Sequence, residues 1–194
     1  MQEFIKNLKS QSTPWLYRKY LLGHDIWYFR EYLSRPNHAE IYDDMKIFMS
    51  ESLGIHVNNI AIVGSAKLGF SISPMEGKKF MPFSEASDLD VAIVSPELFR
   101  KSWDAFIDLS ARGYLHGYKY ITANIFRRFV MLKKPDSRSD FFREWSGKVD
   151  PCKRDLQTLF SINHEINYRI YESWEAVERY HCNGLNKLKE LVGE

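Results

Sequence analysis

Asp88 and Asp90 are the residues best placed to carry chemistry, because they stand two apart at the start of an apolar run, residues 91–94. Side chains two apart on a strand project to the same face, with their Cα atoms about 7 Å apart. Two carboxylates on one face can hold a hard cation such as Mg²⁺ or Mn²⁺, which can activate an attacking oxygen and stabilise a leaving one. The spacing therefore indicates metal-assisted chemistry on a phosphate.

Gly64 and Ser65 end an earlier apolar run, residues 60–63. A Gly-Ser turn that closes a strand and opens a helix presents backbone N–H groups and a hydroxyl to phosphate. Lys67, three residues after Gly64, can reach a triphosphate from the first helical turn or point to solvent. Together with the two aspartates, these residues predict a site for a nucleoside triphosphate.

Gly64-Ser65, followed by Ser-Asp-Leu-Asp-Val at residues 87–91, resembles the signature of the polymerase-β-like nucleotidyltransferase superfamily, which includes small bacterial-type members. The resemblance implies an α+β nucleotidyltransferase fold, a short mixed β-sheet flanked by helices. It implies transfer of a nucleoside monophosphate from a triphosphate such as ATP, with pyrophosphate leaving. Gly64 and Ser65 would hold the β and γ phosphates, and Asp88 and Asp90 would be the catalytic metal ligands for Mg²⁺ or Mn²⁺.

The sequence departs from the family pattern in two places. Residues 72–87 are an apparent insertion that carries Lys78 and Lys79, and no third carboxylate is evident on a later strand. The predicted later strand, residues 166–171, has Asn167 and Arg169 on its polar face. If either occupies the third position, the catalytic base is missing. The chain then either binds a nucleotide without transferring it or uses an acid that the fold brings in from elsewhere. The acids that remain open for this role are Glu165, Asp136, Asp140 and Asp150.

Two functional hypotheses follow. The first is a Mg²⁺-dependent nucleotidyltransferase whose acceptor is a hydroxyl of an RNA end, a protein or another nucleotide. The alternative is a catalytically degenerate module of the same fold that binds a nucleotide or a partner, which family analogy places in a toxin–antitoxin or antiphage system. A purely structural interpretation also stands beside them, because Ser and Asp are common in turns that lead into strands and glycine is common wherever φ is positive.

Composition is typical of a compact globular protein. The 194 residues are 44% apolar and 27% charged, and the net charge of +2 does not favour a chain-wide electrostatic grip on nucleic acid. Cys152 and Cys182 lack a CxxC pair or zinc spacing, which favours reduced thiols. No apolar stretch is long enough for a membrane span, and the first residues lack a signal-peptide core, so a cytoplasmic protein without membrane contact is expected.

The predicted elements form a single domain, residues 1–194. It comprises a helical part (1–56), a sheet-containing catalytic core (57–171) and a C-terminal helix (172–194). Helices are predicted to begin at Thr13-Pro14, at an Asn37–Glu40 capping box and at Ser95-Pro96. Residues 114–134 are ambiguous between strand and helix, and the proline and glycine content of residues 135–154 favours a loop or a short helix.

Aromatic and basic residues are interleaved in three stretches, residues 17–20, 114–120 and 126–129. Such interleaving can stack nucleotide bases beside phosphate contacts, as in proteins that bind single-stranded nucleic acid. Aromatic residues make up 15% of the chain, however, and most are needed for packing. Core packing is therefore the favoured explanation of these stretches.

Overall fold

The computed structural model describes residues 1–193; Glu194, the last residue of the predicted C-terminal helical part, lies outside the described residues. Within residues 1–193 the chain forms eight α-helices and four β-strands, so the predicted α+β class is confirmed. The helices are α1 (Gln2–Ser10), α2 (Thr13–Tyr20), α3 (His38–Leu53), α4 (Ser65–Leu68), α5 (Pro96–Ala111), α6 (Tyr118–Phe126), α7 (Asp140–Phe160) and α8 (Trp174–Gly193). The strands are β1 (Ile60–Val63), β2 (Leu89–Val94), β3 (Phe129–Met131) and β4 (Ile166–Tyr171).

The strands form one mixed sheet in the order β1-β2-β4-β3. β1 is antiparallel to β2, β2 is parallel to β4, and β3 is antiparallel to β4. The two central strands are largely buried, as expected of strands covered on both faces. Polar residues are unusual in such strands, and three are present here: Asp90, Asn167 and Arg169.

Helices cover both faces of the sheet. On one face, α3, α5 and α7 pack over the largest apolar core, whose strand residues include Ile62, Val91 and Tyr168. On the other face, Ala176 and Val177 of α8 pack over a smaller cluster. The strand residues of that cluster are Val63, Ala92, Val94, Phe129 and Tyr171.

The two N-terminal helices pack on the C-terminal helix. Phe4, Leu8 and Leu16 share an apolar cluster with Leu185 and Leu188 of α8. Two polar contacts tie the same helices together: the Thr13 hydroxyl bonds the side chain of Asn186, and Lys189 Nζ donates to the carbonyl of Gln11 at 2.6 Å.

Several predicted helix ends are confirmed. α5 begins after Ser95, whose Oγ accepts the Leu98 N–H at 3.2 Å, and α3 ends at Gly54 in a left-handed conformation. α3 begins after Asn37 as predicted, but the hydrogen bonds of a capping box are not formed. Asn37 Nδ2 instead donates to the Glu40 carboxylate at 3.2 Å, and no Asn37 side-chain bond to the backbone caps the helix.

The prediction of a loop or short helix for residues 135–154 is wrong. α7 runs unbroken through Gly147 and Pro151. The Ser139 hydroxyl caps its first turn. Buried residues recur every three or four positions and form an apolar stripe along one side of the helix: Phe142, Trp145, Val149, Cys152 and Leu156. Burial of this stripe in the main core outweighs the cost of about 3 kcal/mol for proline inside a helix.

The ambiguous residues 114–134 divide into a helix, α6, and a short strand, β3. Arg127 and Arg128 form the turn between them, and Arg128 has a φ of 62°. The apparent insertion before β2 forms a small hairpin closed by a bridge between Phe70 and Pro82. Its two lysines, Lys78 and Lys79, are exposed.

Candidate functional site

The Gly-Ser turn and the second aspartate meet at the end of β1. Val63 lies opposite Asp90 across the β1–β2 pair, so Gly64 follows beside the Asp90 side chain. Gly64 has a φ of 72° and a ψ of −148°, a conformation that residues with a Cβ rarely adopt. A Cβ at this position would lie 3.0 Å from Asp90 Oδ2. Both the backbone conformation and the neighbouring carboxylate therefore require glycine here.

Ser65 opens α4, which is a single turn of four residues. The first N–H groups of a helix have no partner within it, so they remain available to an oxygen of a ligand. A one-turn helix has few aligned peptide dipoles, and its macrodipole adds little. The Lys67 N–H already donates to the Gly64 carbonyl at 3.2 Å. Affinity for a phosphate at this turn would therefore rest on the N–H groups of Ser65 and Ala66 and on the hydroxyl of half-buried Ser65.

Asp88 lies immediately before β2 and is accessible. Its carboxylate oxygens are 3.3 Å and 3.4 Å from Lys133 Nζ, beyond the usual range of a strong charge-assisted hydrogen bond. The side chains of both residues are 41% exposed. Asp88 therefore remains free to bind a cation, and Lys133 places a positive charge next to it.

Asp90 is held by Arg169, whose side chain is 16% exposed. Arg169 on β4 places its guanidinium 2.9 Å from Asp90 Oδ2, and it donates a second hydrogen bond to the Tyr180 hydroxyl at 3.1 Å. Burial acts to lower the pKa of Arg169, whereas the charge of Asp90 raises it, and the net shift is upward. Arg169 is therefore a permanent cation, and one oxygen of Asp90 is engaged by it.

The strand position opposite Asp90 is occupied by Asn167. The parallel β2–β4 register pairs the two residues, and Asn167 Nδ2 lies 3.5 Å from Asp90 Oδ1. Asn167 is 5% exposed, and its Oδ1 is buried without a hydrogen-bond partner. An amide therefore stands on the neighbouring strand beside Asp90, where the resemblance would place the third carboxylate.

The other acids considered for that role are engaged elsewhere or lie on α7. Glu165 pairs with Lys153 of α7 at 2.6 Å, and Asp136 pairs with Arg138 at 2.6 Å. Asp140 and Asp150 belong to α7, which packs on the opposite face of the sheet. Within residues 1–193 no three His, Cys, Asp or Glu side chains are grouped so that they could hold a metal ion.

Lys67 points into a cavity of about 160 Å³ between β1 and α8. It is 4% exposed, and its Nζ donates to the Gly23 carbonyl at 2.7 Å. Burial lowers the pKa of Lys67 to about 8. His181 of α8 lines the same cavity, and burial, with smaller contributions from the charges of Arg169 and Lys67, lowers its pKa to about 3. Lys67 therefore lines this cavity and bonds the Gly23 carbonyl.

The oxygen ligands at the end of β1 and the start of β2 are of the type that a magnesium ion prefers. Mg²⁺ is bound by oxygen ligands, often one or two carboxylates completed by phosphate oxygens and water. The carboxylates of Asp88 and Asp90 are such ligands, whereas the Asn167 amide presents its Nδ2 rather than its buried Oδ1 to Asp90. Because Arg169 engages one oxygen of Asp90, the set suits a single ion that arrives with a nucleotide.

Two residues of this site, Lys133 and Tyr180, were not predicted from the sequence. Lys133 follows the apolar residues 129–132 directly, and a basic residue at the end of a short apolar run was the available signal. Tyr180 lies on α8, the predicted C-terminal helix. Its ring packs on Phe129 at a centroid distance of 5.0 Å while its hydroxyl accepts from Arg169.

Comparison of the chain with protein-family models, with curated proteins and with solved structures gave no match. Among the helices of residues 1–193, none has both the length and the apolar character that crossing a bilayer requires.

Proposed function

We propose that this chain has the nucleotidyltransferase fold, binds a nucleoside triphosphate with one Mg²⁺ at the ends of β1 and β2, and does not transfer the nucleotidyl group. The observation that carries the proposal is Asn167 opposite Asp90. A neutral amide is not a general base for an acceptor hydroxyl, whereas a carboxylate is. Arg169 further reduces the negative charge available to a second metal ion.

Each residue of the site has a defined role in this proposal. The N–H groups after Gly64 and the Ser65 hydroxyl bind phosphate oxygens. Asp88 and Asp90 Oδ1 hold the ion; the only contact of that Asp90 oxygen is a long one of 3.5 Å with Asn167 Nδ2. The bound ion neutralises phosphate charge. Gly64 keeps the turn close to Asp90, because any larger residue would meet Oδ2 at 3.0 Å.

The charges of the site allow an anion to bind with little electrostatic repulsion. Two carboxylates alone would repel a triphosphate. Here Arg169 lies 2.9 Å from Asp90, and Lys133 lies 3.3 Å from Asp88, so each acid has a cation beside it. The site is close to neutral before the ion binds, and a magnesium–nucleotide complex meets little net repulsion.

The binding test is calorimetric titration of each of the four Mg²⁺-bound nucleoside triphosphates into the wild-type protein, Asp88→Asn and Gly64→Ala. Asp104→Asn, an exposed acid on α5, is the matched control. We expect both site variants to weaken binding at least about tenfold, equivalent to 1.4 kcal/mol, and the control to bind as wild type. Equal affinity in all four proteins, or no binding to the wild type, would overturn the proposal.

The transfer test uses each α-³²P-labelled triphosphate with Mg²⁺ or Mn²⁺ and three acceptors: total RNA, cell-extract protein and free nucleotide. We expect no label on any acceptor from a protein that binds nucleotide in the calorimeter. Label that disappears in Asp88→Asn would show that the chain is a transferase. Asp88→Asn is preferred to an Asp90 variant, because Asp88 has only the long contact with Lys133.

A second candidate, the Mg²⁺-dependent nucleotidyltransferase, is favoured by one observation: Gly64 lies so close to Asp90 that an added Cβ would be 3.0 Å from Oδ2, and Asp88 beside them is accessible. In this case the missing carboxylate comes from a partner protein, as in an enzyme that works only within a toxin–antitoxin or antiphage complex. Transfer that appears only when cell extract is added, and is absent in Asp88→Asn, would select this candidate.

A further inference from the structure

Residues 112–138 form a surface on which large aromatic side chains face solvent; we call it the α6 surface. Phe126 is 92% exposed, and Tyr114 is 81% exposed. Tyr118 and Tyr120, at the start of α6, are more than half exposed. Four exposed rings within thirteen residues are not explained by packing, which was the favoured explanation of this stretch from sequence.

The geometry of α6 places a ring and a cation on the same side of the helix. Ile121 and Ile125 pack against the main core, and this fixes which side of the helix is inward. Lys119 and Phe126 are seven residues apart, two helical turns, and both lie on the outward side. Tyr118 lies toward one flank of this outward side.

The other flank of α6 carries Tyr120, whose hydroxyl lies 4.0 Å from Met131 Sδ of β3. The exposed side of α6 is thus continuous with the edge strand β3. The helix and the edge strand together present rings and cations along one side of the molecule.

The α6 surface carries a concentration of positive charge. Residues 112–138 contain seven Lys or Arg and one Asp, a net charge of +6 in a chain whose total is +2. Three of the cations pair with Glu172, Asp88 and Asp136. Within residues 1–193 the other four have no ion-pair partner, and all four are exposed: Arg112, Lys119, Arg127 and Lys134.

The turn after α6 keeps two cations of the α6 surface, Arg127 and the paired Arg128, next to Phe126 in the chain. Arg127 and Arg128 follow it directly, and their N–H groups donate to Asn124 and Ile125 at 2.9 Å and 2.8 Å. Arg128 has a φ of 62°, which is unfavourable for a residue with a Cβ. The pairing of Arg128 with Glu172 at 3.2 Å and the short connection to β3 hold this conformation.

We propose that the α6 surface binds single-stranded RNA. Exposed rings stack on bases of any sequence, and unpaired Lys and Arg contact the phosphates between them. Three of the four rings are tyrosines, whose hydroxyls can bond the 2′-hydroxyl that distinguishes RNA from DNA. Lys133 belongs to the same surface and touches Asp88, so a bound strand would pass beside the nucleotide site. The proposal does not depend on nucleotide binding.

The test is fluorescence anisotropy with a labelled, unstructured RNA of about 12 nucleotides, a length that matches the site sizes of single-strand-binding folds. Nucleotide and Mg²⁺ are omitted, so the outcome is independent of the proposed function. We expect Phe126→Ser to weaken binding about tenfold, because stacking contributes about 1–3 kcal/mol per base. Trp103→Ser, an exposed ring on α5, is the matched control and should bind as wild type.

The charge component is tested by the salt dependence. Each phosphate contact on a single strand contributes about 0.7 to the slope of log K against log salt. Lys119→Gln/Arg127→Gln should therefore reduce the slope by about 1.4, whereas Lys148→Gln/Arg154→Gln, two exposed cations of α7, should leave it unchanged.

Four results would overturn the proposal. The first is that the folded wild-type protein binds no RNA at low salt. The second is that a DNA strand of the same sequence binds as tightly as the RNA, and the third is that the control variants lose as much affinity as the α6-surface variants. The fourth is binding of acidic phospholipid vesicles, or self-association, that disappears in Phe126→Ser while RNA does not bind. It would assign the surface to a membrane or to a second copy of the chain.

Discussion

Arg169 and Lys67 are both cations with little exposure to solvent, on the side of the sheet that α8 covers, and their pKa values shift in opposite directions. Arg169 has a carboxylate 2.9 Å away and its pKa is raised. Lys67 bonds a carbonyl, and burial lowers its pKa to about 8. The difference shows that burial alone disfavours a charge, and that a carboxylate in contact reverses the outcome.

The charges of both cations act on His181 of α8. Its pKa is lowered to about 3 by burial first, and then by the positive charges of Arg169 and Lys67. The imidazole is therefore neutral in the folded protein at all ordinary pH values. Replacing each member of this group in turn tests how much the pairing with Asp90 contributes.

The largest effect is expected from Asp90→Asn, which leaves the Arg169 guanidinium buried without a counter-charge. Breaking one side of a buried pair costs about 3 kcal/mol. Urea unfolding should show this loss relative to wild type, and Asp90→Asn/Arg169→Met should recover most of it. A double variant no more stable than Asp90→Asn would show that the guanidinium is not what destabilises the single variant.

The next largest effect is the loss of folding stability in acid that His181 causes. An unfolded histidine takes up a proton near pH 6.5, whereas folded His181 does so only near pH 3, so the unfolded state binds more protons between these values. The wild-type free energy of unfolding should therefore fall by about 2 kcal/mol more than that of His181→Leu between pH 6.5 and about pH 4. Exposed His116→Leu should follow wild type. Parallel curves for wild type and His181→Leu would contradict the argument.

A smaller effect, of opposite sign, is expected for Lys67→Met at neutral pH. Removing a buried charge without a carboxylate partner should stabilise the fold by about 1 kcal/mol, after the lost bond to Gly23 is included. The folded pKa of about 8 lies below the ordinary 10.5, so wild-type stability rises between these values and the advantage of the variant should shrink. Urea unfolding at pH 7 and pH 9.5 measures this, with exposed Lys187→Met as the control. An advantage that stays constant with pH would exclude the titration of Lys67 as its cause.

The smallest effect on stability is expected for Asp88→Asn. Both partners of the Asp88–Lys133 pair are 41% exposed, and such pairs contribute less than about 0.5 kcal/mol. The urea midpoint should match wild type, and raising the salt concentration should remove any residual difference. A loss as large as that of Asp90→Asn would mean that the two aspartates are equally structural.

The sequence was informative wherever neighbours along the chain determine the geometry. The apolar runs before Gly64 and after Asp90 predicted β1 and β2, and the antiparallel pairing of these strands brings the turn to the carboxylate. The INYRIY strand was also predictable from alternation. That Asn167 stands opposite Asp90 depends on the β2–β4 register, which links residues 77 positions apart and has no local signature.

Other features escaped prediction because tertiary packing overrode a local preference. α7 crosses Pro151 because its apolar stripe is buried in the main core. The direction of Lys67 is set by the Gly23 carbonyl, 44 residues earlier in the chain. The exposed rings of α6 were predicted as core because composition does not say which aromatic residues face inward.

The packing of α1 and α2 on α8 has a consequence for synthesis of the protein. Thr13 contacts Asn186, 173 residues later in the chain, and Lys189 contacts the carbonyl of Gln11. During translation the two N-terminal helices remain without their packing partner until α8 has left the ribosome. At about 5–20 residues per second, they wait for several seconds or more without Leu185 and Leu188, which complete the apolar cluster of Phe4, Leu8 and Leu16. This interval is the natural point for a chaperone to bind the nascent chain.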